Sequence, residues 1–366
     1  MSDCVDDFRS RILERKPLRL RGGGSKDFYG GPMVGEVLDT RGYSGIVGYE
    51  PTELVITARC GTPLAEIESA LATRRQVLPC EPPHFGHATV GGEIAGGATI
   101  GATIGGVVAA GLSGPRRAVA GSLRDYVLGV KLMDGEGREL NFGGQVMKNV
   151  AGFDVSRLIT GSLGTLGLIL EVSLKVMPQP VATATLRFEL PQGKALDAMN
   201  RWAGQPLPLA ATCWQDGVLT LRLSGARAAI IAACENLGGE RLAEQEATAF
   251  WAELREQTTA FFAGPDTHGP LWRFSLPSVA PVLELPGAQL IEWGGAQRWV
   301  RGAVDAVHLR EIAAKAGGHA TLFRGGDKAG GVFAPLSPAL MEVHRRLKQS
   351  FDPYGVFNPG RLYPEL

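Results

Sequence analysis

Residues 3–15 read as a helix and 17–21 as a short strand running straight into Gly22-Gly23-Gly24-Ser25. A second helix is expected from Thr62 as N-cap, with Pro63 at its first position, to about Arg75; Leu64, Ile67 and Leu71 form its apolar stripe. Val127–Met133 and Leu166–Val176 are apolar, β-branched runs bounded by glycine, which suits buried strands. Further on, 211–215 and 218–223 form a hairpin around Asp216-Gly217, followed by a helix from Ala226 to Leu237 that Gly238 closes. The order then repeats: a strand at 271–276, a hairpin near 289–301, a helix from Asp305 to Ala316 and a strand at 319–323. Ser337 and Pro338 open a last helix to about Ser350. This alternation predicts an α+β protein whose second half is an antiparallel sheet with helices on one face.

Composition divides the chain further. The 50 glycines crowd between Gly22 and Gly167, and Met177-Pro178-Gln179-Pro180 interrupts a strand-like run. Two domains are expected, at 1–178 and, with the form of a cap, at 181–350, followed by an irregular tail at 351–366. Basic and acidic residues both total 37, so no global field draws nucleic acid or an anionic membrane. Cys4, Cys60, Cys80, Cys213 and Cys234 lack the spacing of a metal or iron–sulfur site or of a secreted disulfide framework. The charged amino terminus resembles neither a signal peptide nor a spanning helix, so a cytoplasmic protein is expected.

Two glycine-rich segments suggest a nucleotide. Consecutive glycines in Arg21-Gly22-Gly23-Gly24-Ser25-Lys26 can turn several N–H groups onto one anion, and a diphosphate would fit. Neither the dinucleotide fingerprint nor the P-loop occurs, and a bare surface turn remains the competing reading. A second tract, from Ala88 to Arg117, repeats its pattern at Ala88, Ala98 and Ala102 and is apolar, unlike a flexible linker. Small residues there would let a flat cofactor lie against backbone.

These segments resemble a known family. Arg21–Lys26, Glu81-Pro82-Pro83-His84-Phe85-Gly86, Gly111–Arg117, Gly121–Asp125, Met147-Lys148-Asn149-Val150-Ala151-Gly152-Phe153-Asp154, Gly161–Gly167 and Phe357-Asn358-Pro359-Gly360-Arg361-Leu362 are similar to the FAD-binding E subunit of bacterial glycolate oxidase. That family belongs to the vanillyl-alcohol-oxidase-like, PCMH-type flavoproteins. The resemblance implies a two-lobed FAD domain, with Gly22, Gly23, Gly24, Ser25 and Lys26 on the diphosphate and Thr103, Gly105, Gly106 and Ser113 lining the cofactor. It places Gly161, Gly164, Gly167 and Ile169 near the adenine, with the tail returning to the first domain and its Asn358 closing the site. Arg124 and Asp125 are expected to form an ion pair. Relatives carry a single A-T-x-G-G element, whereas this chain adds a copy at Ala88. No His or Cys lies between Arg21 and Pro32, so non-covalent FAD is expected.

Hydroxy-acid oxidation needs a proton acceptor and a cation for the carboxylate. Arg324 and Arg273 are weak candidates for the cation; His319 stands alone, and His84 and His87 lack a metal-ligand spacing, so no metal is expected. The reading is therefore an auxiliary or electron-relaying flavoprotein. By the resemblance, its partners are a catalytic sister flavoprotein that oxidises glycolate, a small 2-hydroxy acid, and an iron–sulfur subunit, with a peripheral membrane seat through them. A stand-alone 2-hydroxy-acid dehydrogenase and an assembly subunit with a decayed flavin site stay open.

Overall fold

The computed structural model describes residues 2–86, 101–144, 153–263, 269–303 and 305–366. The added glycine copy at Ala88, His87 and all of the Met147–Asp154 motif but Phe153 and Asp154 lie outside them.

The first half runs α1 (Ser2–Leu13), β1 (Leu18–Arg21), β2 (Glu36–Asp39), β3 (Ile46–Glu50), β4 (Val55–Arg59), α2 (Leu64–Ala72) and β5 (Gln76–Val77). It continues through α3 (Ile104–Ala110), α4 (Arg117–Ala120), a 3-10 turn at Leu123–Tyr126, β6 (Val127–Met133), β7 (Glu139–Gly143), α5 (Val155–Ile159), β8 (Leu168–Lys175) and β9 (Met177–Pro178). Strands β3, β4, β8, β6 and β7 form a five-stranded antiparallel sheet, while β1 and β2 pair in parallel beside it. The buried stripes of α2 (Leu64, Ile67, Leu71) and α3 (Ile104, Val107, Val108) join Ile56, Leu132, Leu170 and Leu174 in one core.

The second half contains β10 (Ala182–Glu189), α6 (Gln192–Ala203), β11 (Leu209–Gln215), β12 (Val218–Gly225), α7 (Arg227–Leu237), β13 (Glu240–Arg241), α8 (Glu244–Glu256) and α9 (Ala260–Ala263). After these come β14 (Leu271–Ser275), β15 (Ala288–Glu292), β16 (Gln297–Arg301), α10 (Ala306–Lys315), β17 (His319–Arg324) and α11 (Pro338–Phe351). Eight of its strands make one antiparallel sheet in the order β13-β10-β12-β11-β15-β16-β14-β17. Asp216 and Gly217 both take positive φ, 48° and 82°, as the two-residue β11–β12 turn requires.

Period-two alternation sends Leu219, Leu221 and Leu223 to the face under α6 and α7, and Phe274, Val300 and Leu322 to the face under α10. The opposite side chains, including Ala211, Cys213, Leu271, Trp299 and Phe323, meet Tyr29, Phe85, Leu112 and Leu163 of the first half. Helix α8 packs Trp251 and Leu254 on this same side, so the helices cover both faces rather than one. Glu256 at its end accepts from the His84 and Phe85 N–H groups at 3.0 and 2.8 Å, and Glu81 meets Arg222 at 2.6 Å. The tail rejoins β1 through Leu18 N–H to Val356 O (2.7 Å) and Asn358 N–H to Leu18 O (2.9 Å). No described helix is long and apolar enough to cross a membrane.

Candidate functional site: a glycine-walled cleft

The end of β1, the N-terminus of α3, the loop before β8 and the returning tail enclose a cleft holding about 820 Å³ of space, open mouth included. A cleft of that size suits a cofactor. The walls approach so closely that side chains are excluded. A Cβ on Gly22 would lie 2.1 Å from Thr103 Oγ1, and one on Gly105 would lie 2.6 Å from the Cys60 Cβ. Gly164 has φ +70°, and a Cβ there would meet Asn358 Nδ2 at 2.8 Å. Backbone and hydroxyl therefore make up much of the cleft wall.

Three polar anchors hold these walls. Asn358 Nδ2 donates to Leu163 O (2.6 Å) while its Oδ1 accepts from Leu20 N–H (2.9 Å), tying the tail to both sides of the cleft. The Arg361 guanidinium donates to the carbonyls of Asp27, Tyr29 and Gly31, fixing the segment after the glycine loop. Deeper, Lys348 Nζ reaches Asp352 Oδ2 (2.8 Å), Thr165 O (2.7 Å) and Phe357 O (2.9 Å), and Asp352 also accepts from the Val356 and Phe357 N–H groups.

The cleft has cations to offer a diphosphate. Arg21 is already paired with Asp27 at 2.8 Å, but among the described residues Lys26 meets the Ser25 hydroxyl at 3.2 Å and the face of Phe85 and no acidic partner. Burial lowers the Lys26 ammonium to about 7, against the weaker opposing pull of Glu256. Two buried polar atoms in the wall, Thr103 Oγ1 and Arg19 Nε, have no hydrogen-bond partner among the described residues. Orphaned donors and acceptors around a glycine-lined space fit a polar ligand that approaches the backbone closely. A neighbouring phosphate would restore the Lys26 charge, so above pH 7 binding must take up a proton. FAD affinity should then be greatest below pH 7 and fall above it by up to about tenfold per pH unit. Calorimetry across pH 6–9 checks this, and Lys26→Met should flatten the profile.

The site residues expected from the sequence fall into two groups. Gly22, Gly23, Gly24, Ser25, Lys26, Thr103, Gly105, Gly106, Gly164, Gly167, Ile169 and Asn358 all line this cleft. Ser113 and Gly161 are not part of its wall. The Ser113 hydroxyl accepts from Leu123 N–H at 3.0 Å, and Gly161 packs against Gly111, where a Cβ would meet the Gly161 Cα at 2.9 Å. Arg124 and Asp125 do not pair with each other. Asp125 caps the 3-10 turn through Ser122, and Arg124 reaches Thr160 O at 3.4 Å. His84 contacts Glu68 at 2.9 Å, a partner hidden by sequence distance. No group of three or more His, Cys, Asp or Glu suited to a metal forms among the described residues. Arg19, Thr40, Cys60 and Arg361 also line the cleft; the sequence carries no signal for the first three, and Arg361 lies in the quoted tail motif.

Arg273, His319 and Arg324 lie on the β14–β17 pair, with His319 and Arg324 at opposite ends of β17. Arg273 donates to the Tyr29 hydroxyl (2.9 Å), and Arg324 lies over Phe28 and donates to Gln257 (2.9 Å). His319 is pushed below its ordinary value, by burial first and by Arg273 second. Arg273 also lines a narrow second cavity, about 330 Å³ of space with open solvent included, between the sheet and Phe85, Leu112 and Ser113. Glu292 shares that cavity, a residue that sequence reasoning did not single out. Its Oε2 accepts from Trp299 Nε1 (2.7 Å) and Gln297 Nε2 (3.0 Å), yet burial pushes the carboxyl up to about 7. Because the folded value exceeds the unfolded one, ionising Glu292 costs stability; the cost is absent below about 4.5, grows as pH rises and is complete above 7. Glu292→Gln should therefore stabilise the protein above pH 7, by up to about 3 kcal/mol in urea unfolding, and change little at pH 4.5.

Fold and cleft together suit a flavin-binding protein, with a glycine-walled cleft in the first half and an antiparallel sheet laid against it. Residues 11–101 match the FAD binding domain family. Over 99% of its length the chain is 50% identical to glycolate oxidase subunit GlcE of Escherichia coli (strain K12), covering 97% of that protein. This chain belongs to the GlcE family of FAD-binding oxidoreductase subunits. It is also 30% identical to glycolate oxidase subunit GlcD of Bacillus subtilis (strain 168), across 49% of this chain and 37% of that one. In fold it is similar to 4-ethylphenol oxidase from Gulosibacter chungangensis, with a TM-score of 0.68 at 14% identity, covering 98% of this chain and 87% of that one. Alkyldihydroxyacetonephosphate synthase is another such neighbour, with a TM-score of 0.64 at 14% identity over 99% of this chain and 76% of that one.

Proposed function

We propose that this chain is the FAD-carrying subunit of an assembly that oxidises glycolate to glyoxylate, holding its cofactor without a covalent link in the glycine-walled cleft. The similarity to GlcE along 99% of the chain carries this reading. Lys26 and the N–H groups of residues 22–26 would take the diphosphate, and the Thr103 hydroxyl and Arg19 would take further polar edges of the cofactor. When bound, FAD supplies a two-electron acceptor. The absence of His and Cys between Arg21 and Pro32 supports the non-covalent link.

The chain's place in the assembly is auxiliary or electron-relaying. A sister flavoprotein would meet the hydroxy acid, and an iron–sulfur subunit would receive the electrons. The complex would sit in the cytoplasm, reaching the membrane only through its partners. Two separate sheets support a boundary near residues 178–181, with the last residues returning to the flavin half.

A second reading has this chain oxidise a small hydroxy acid itself. The cavity shared by Arg273, a cation for a carboxylate, and Glu292, a carboxyl able to hold a proton near neutrality, favours it. Anaerobic addition of glycolate and D-lactate to the isolated FAD-loaded chain separates the two. An unbleached flavin, with turnover only after co-purification with partner subunits, is the expected result. Bleaching of the isolated chain would overturn the auxiliary role.

A further inference from the structure

Beyond the flavin site, the edge of the eight-stranded sheet carries an open slot for another chain. Strand β10 pairs with β12 along its whole length, Ala182–Glu189, but on its other side β13 meets it only at Leu186 and Arg187. Leu242 N–H donates to Thr185 O at 3.0 Å, which shows that the carbonyl of Thr185 points to this outer side. Backbone polar groups switch sides with each residue of a strand, so the N–H and C=O of Thr183 point outward as well. Nothing described pairs with them there.

Natural sheet edges are blunted by lysine, proline or a bulge, and the half strand Ala182-Thr183-Ala184 has none of these. Instead, α7 stands over one face of the sheet and α8 over the other, and the edge lies at the floor of a groove that opens about 2070 Å³ of space, solvent included. Val181 and Ile231 line that groove at 80% and 52% exposure, unusually bare for large apolar side chains. Arg227 and Arg241 line it too, and among the described residues neither has an acidic or hydrogen-bonding partner. The other two groove arginines do: Arg222 pairs with Glu81 and Arg255 with Glu68.

We propose that this groove takes an extended segment of a partner polypeptide, which adds a strand to β10 at Thr183 and sets acidic side chains against Arg227 and Arg241. Main-chain bonds would supply register and alternate side chains selectivity, as in other strand additions. A second copy of this chain fits poorly, because edge-to-edge pairing would bring the same unpaired arginines from both copies to one seam. The inference stands apart from the flavin assignment, since no groove residue lines the cofactor cleft.

The test uses the full FAD-loaded chain and a fluorescent, end-capped octapeptide of alternating valine and glutamate, with a valine–lysine peptide as its counterpart. Fluorescence anisotropy should show the glutamate peptide binding at least tenfold more tightly than the lysine peptide. Thr183→Pro removes the outward N–H without touching the β12 ladder and should weaken glutamate-peptide binding at least tenfold with FAD content unchanged. The double variant Arg227→Glu/Arg241→Glu changes only exposed side chains and should reverse the preference, so it decides the matter even if the proline variant folds badly. Binding that ignores the charge reversal, no glutamate-peptide binding up to millimolar concentration, or a concentration-dependent dimer of the chain lost in Thr183→Pro would each overturn the proposal.

Discussion

Gly22→Val should leave the protein folded and colourless. Gly22 does not occupy the left-handed backbone region, so valine there meets no positive-φ strain. The obstacle is contact: the new Cβ would stand 2.1 Å from Thr103 Oγ1 and 3.1 Å from the Thr103 Cβ. Thr103 has nowhere to go, being 2% exposed with its carbonyl bonded to Val107 N–H and the next residue's N–H bonded to Thr62 O. The valine must move the glycine loop outward and take its N–H groups off the diphosphate. We expect FAD affinity to fall at least about a hundredfold, or roughly 2.7 kcal/mol. Absorbance of the purified variant against wild type checks it, and Gly22→Ala combined with Thr103→Ala should recover part of the loss. Gly164→Val is a less selective probe. Its Cβ would press on Asn358 Nδ2 from a φ of +70°, so it would damage the tail anchor along with the cleft.

Lys348→Met should have the largest effect on stability. The ammonium is surrounded by the Asp352 carboxylate and two carbonyls, and Asp352 is 2% exposed. Burial lowers Lys348, and Asp352 works against that shift. Removing the cation leaves a buried carboxylate with only the Val356 and Phe357 N–H groups and strands the carbonyls of Thr165 and Phe357. Breaking one side of such a pair costs about 3–5 kcal/mol. Urea unfolding should report a loss of that size. Because the same network seats Asn358 two residues beyond Val356, FAD should also dissociate faster. A variant as stable as wild type would show that the tail does not depend on this pair.

The cleft was legible in the sequence wherever a glycine marks a place that cannot hold a Cβ. Gly22, Gly105 and Gly164 are of this kind, and motif resemblance assembled them into one site. Motifs did not separate glycines that face the cleft from those that pack beside it. Gly161 sits against Gly111, and Ser113 supports the 3-10 turn, although both belong to the quoted motifs. Helix α3 escaped notice because Gly105 and Gly106 lower helix propensity; packing of Gly105 against Cys60 makes the close contact that offsets it.

In the second half, periodicity placed the β11–β12 hairpin, α7, α10 and α11 to within a few residues. It gave no sign of α8, whose place on the sheet depends on Trp251 meeting Thr185, 66 positions away. The same reason hid Glu292. Its carboxyl is raised by burial within a sheet that only folding assembles, against the lowering pull of its hydrogen bonds from Trp299 and Gln297.

In the proposed arrangement the cleft binds one FAD by non-covalent contact. The most direct measurement is the absorbance spectrum of the chain reconstituted with excess FAD and desalted, followed by acid precipitation. Close to one flavin per chain, released entirely into the supernatant and absent from Gly22→Val, is the predicted result. A colourless protein, or a yellow pellet that keeps its flavin after acid, would rule out non-covalent FAD in this cleft.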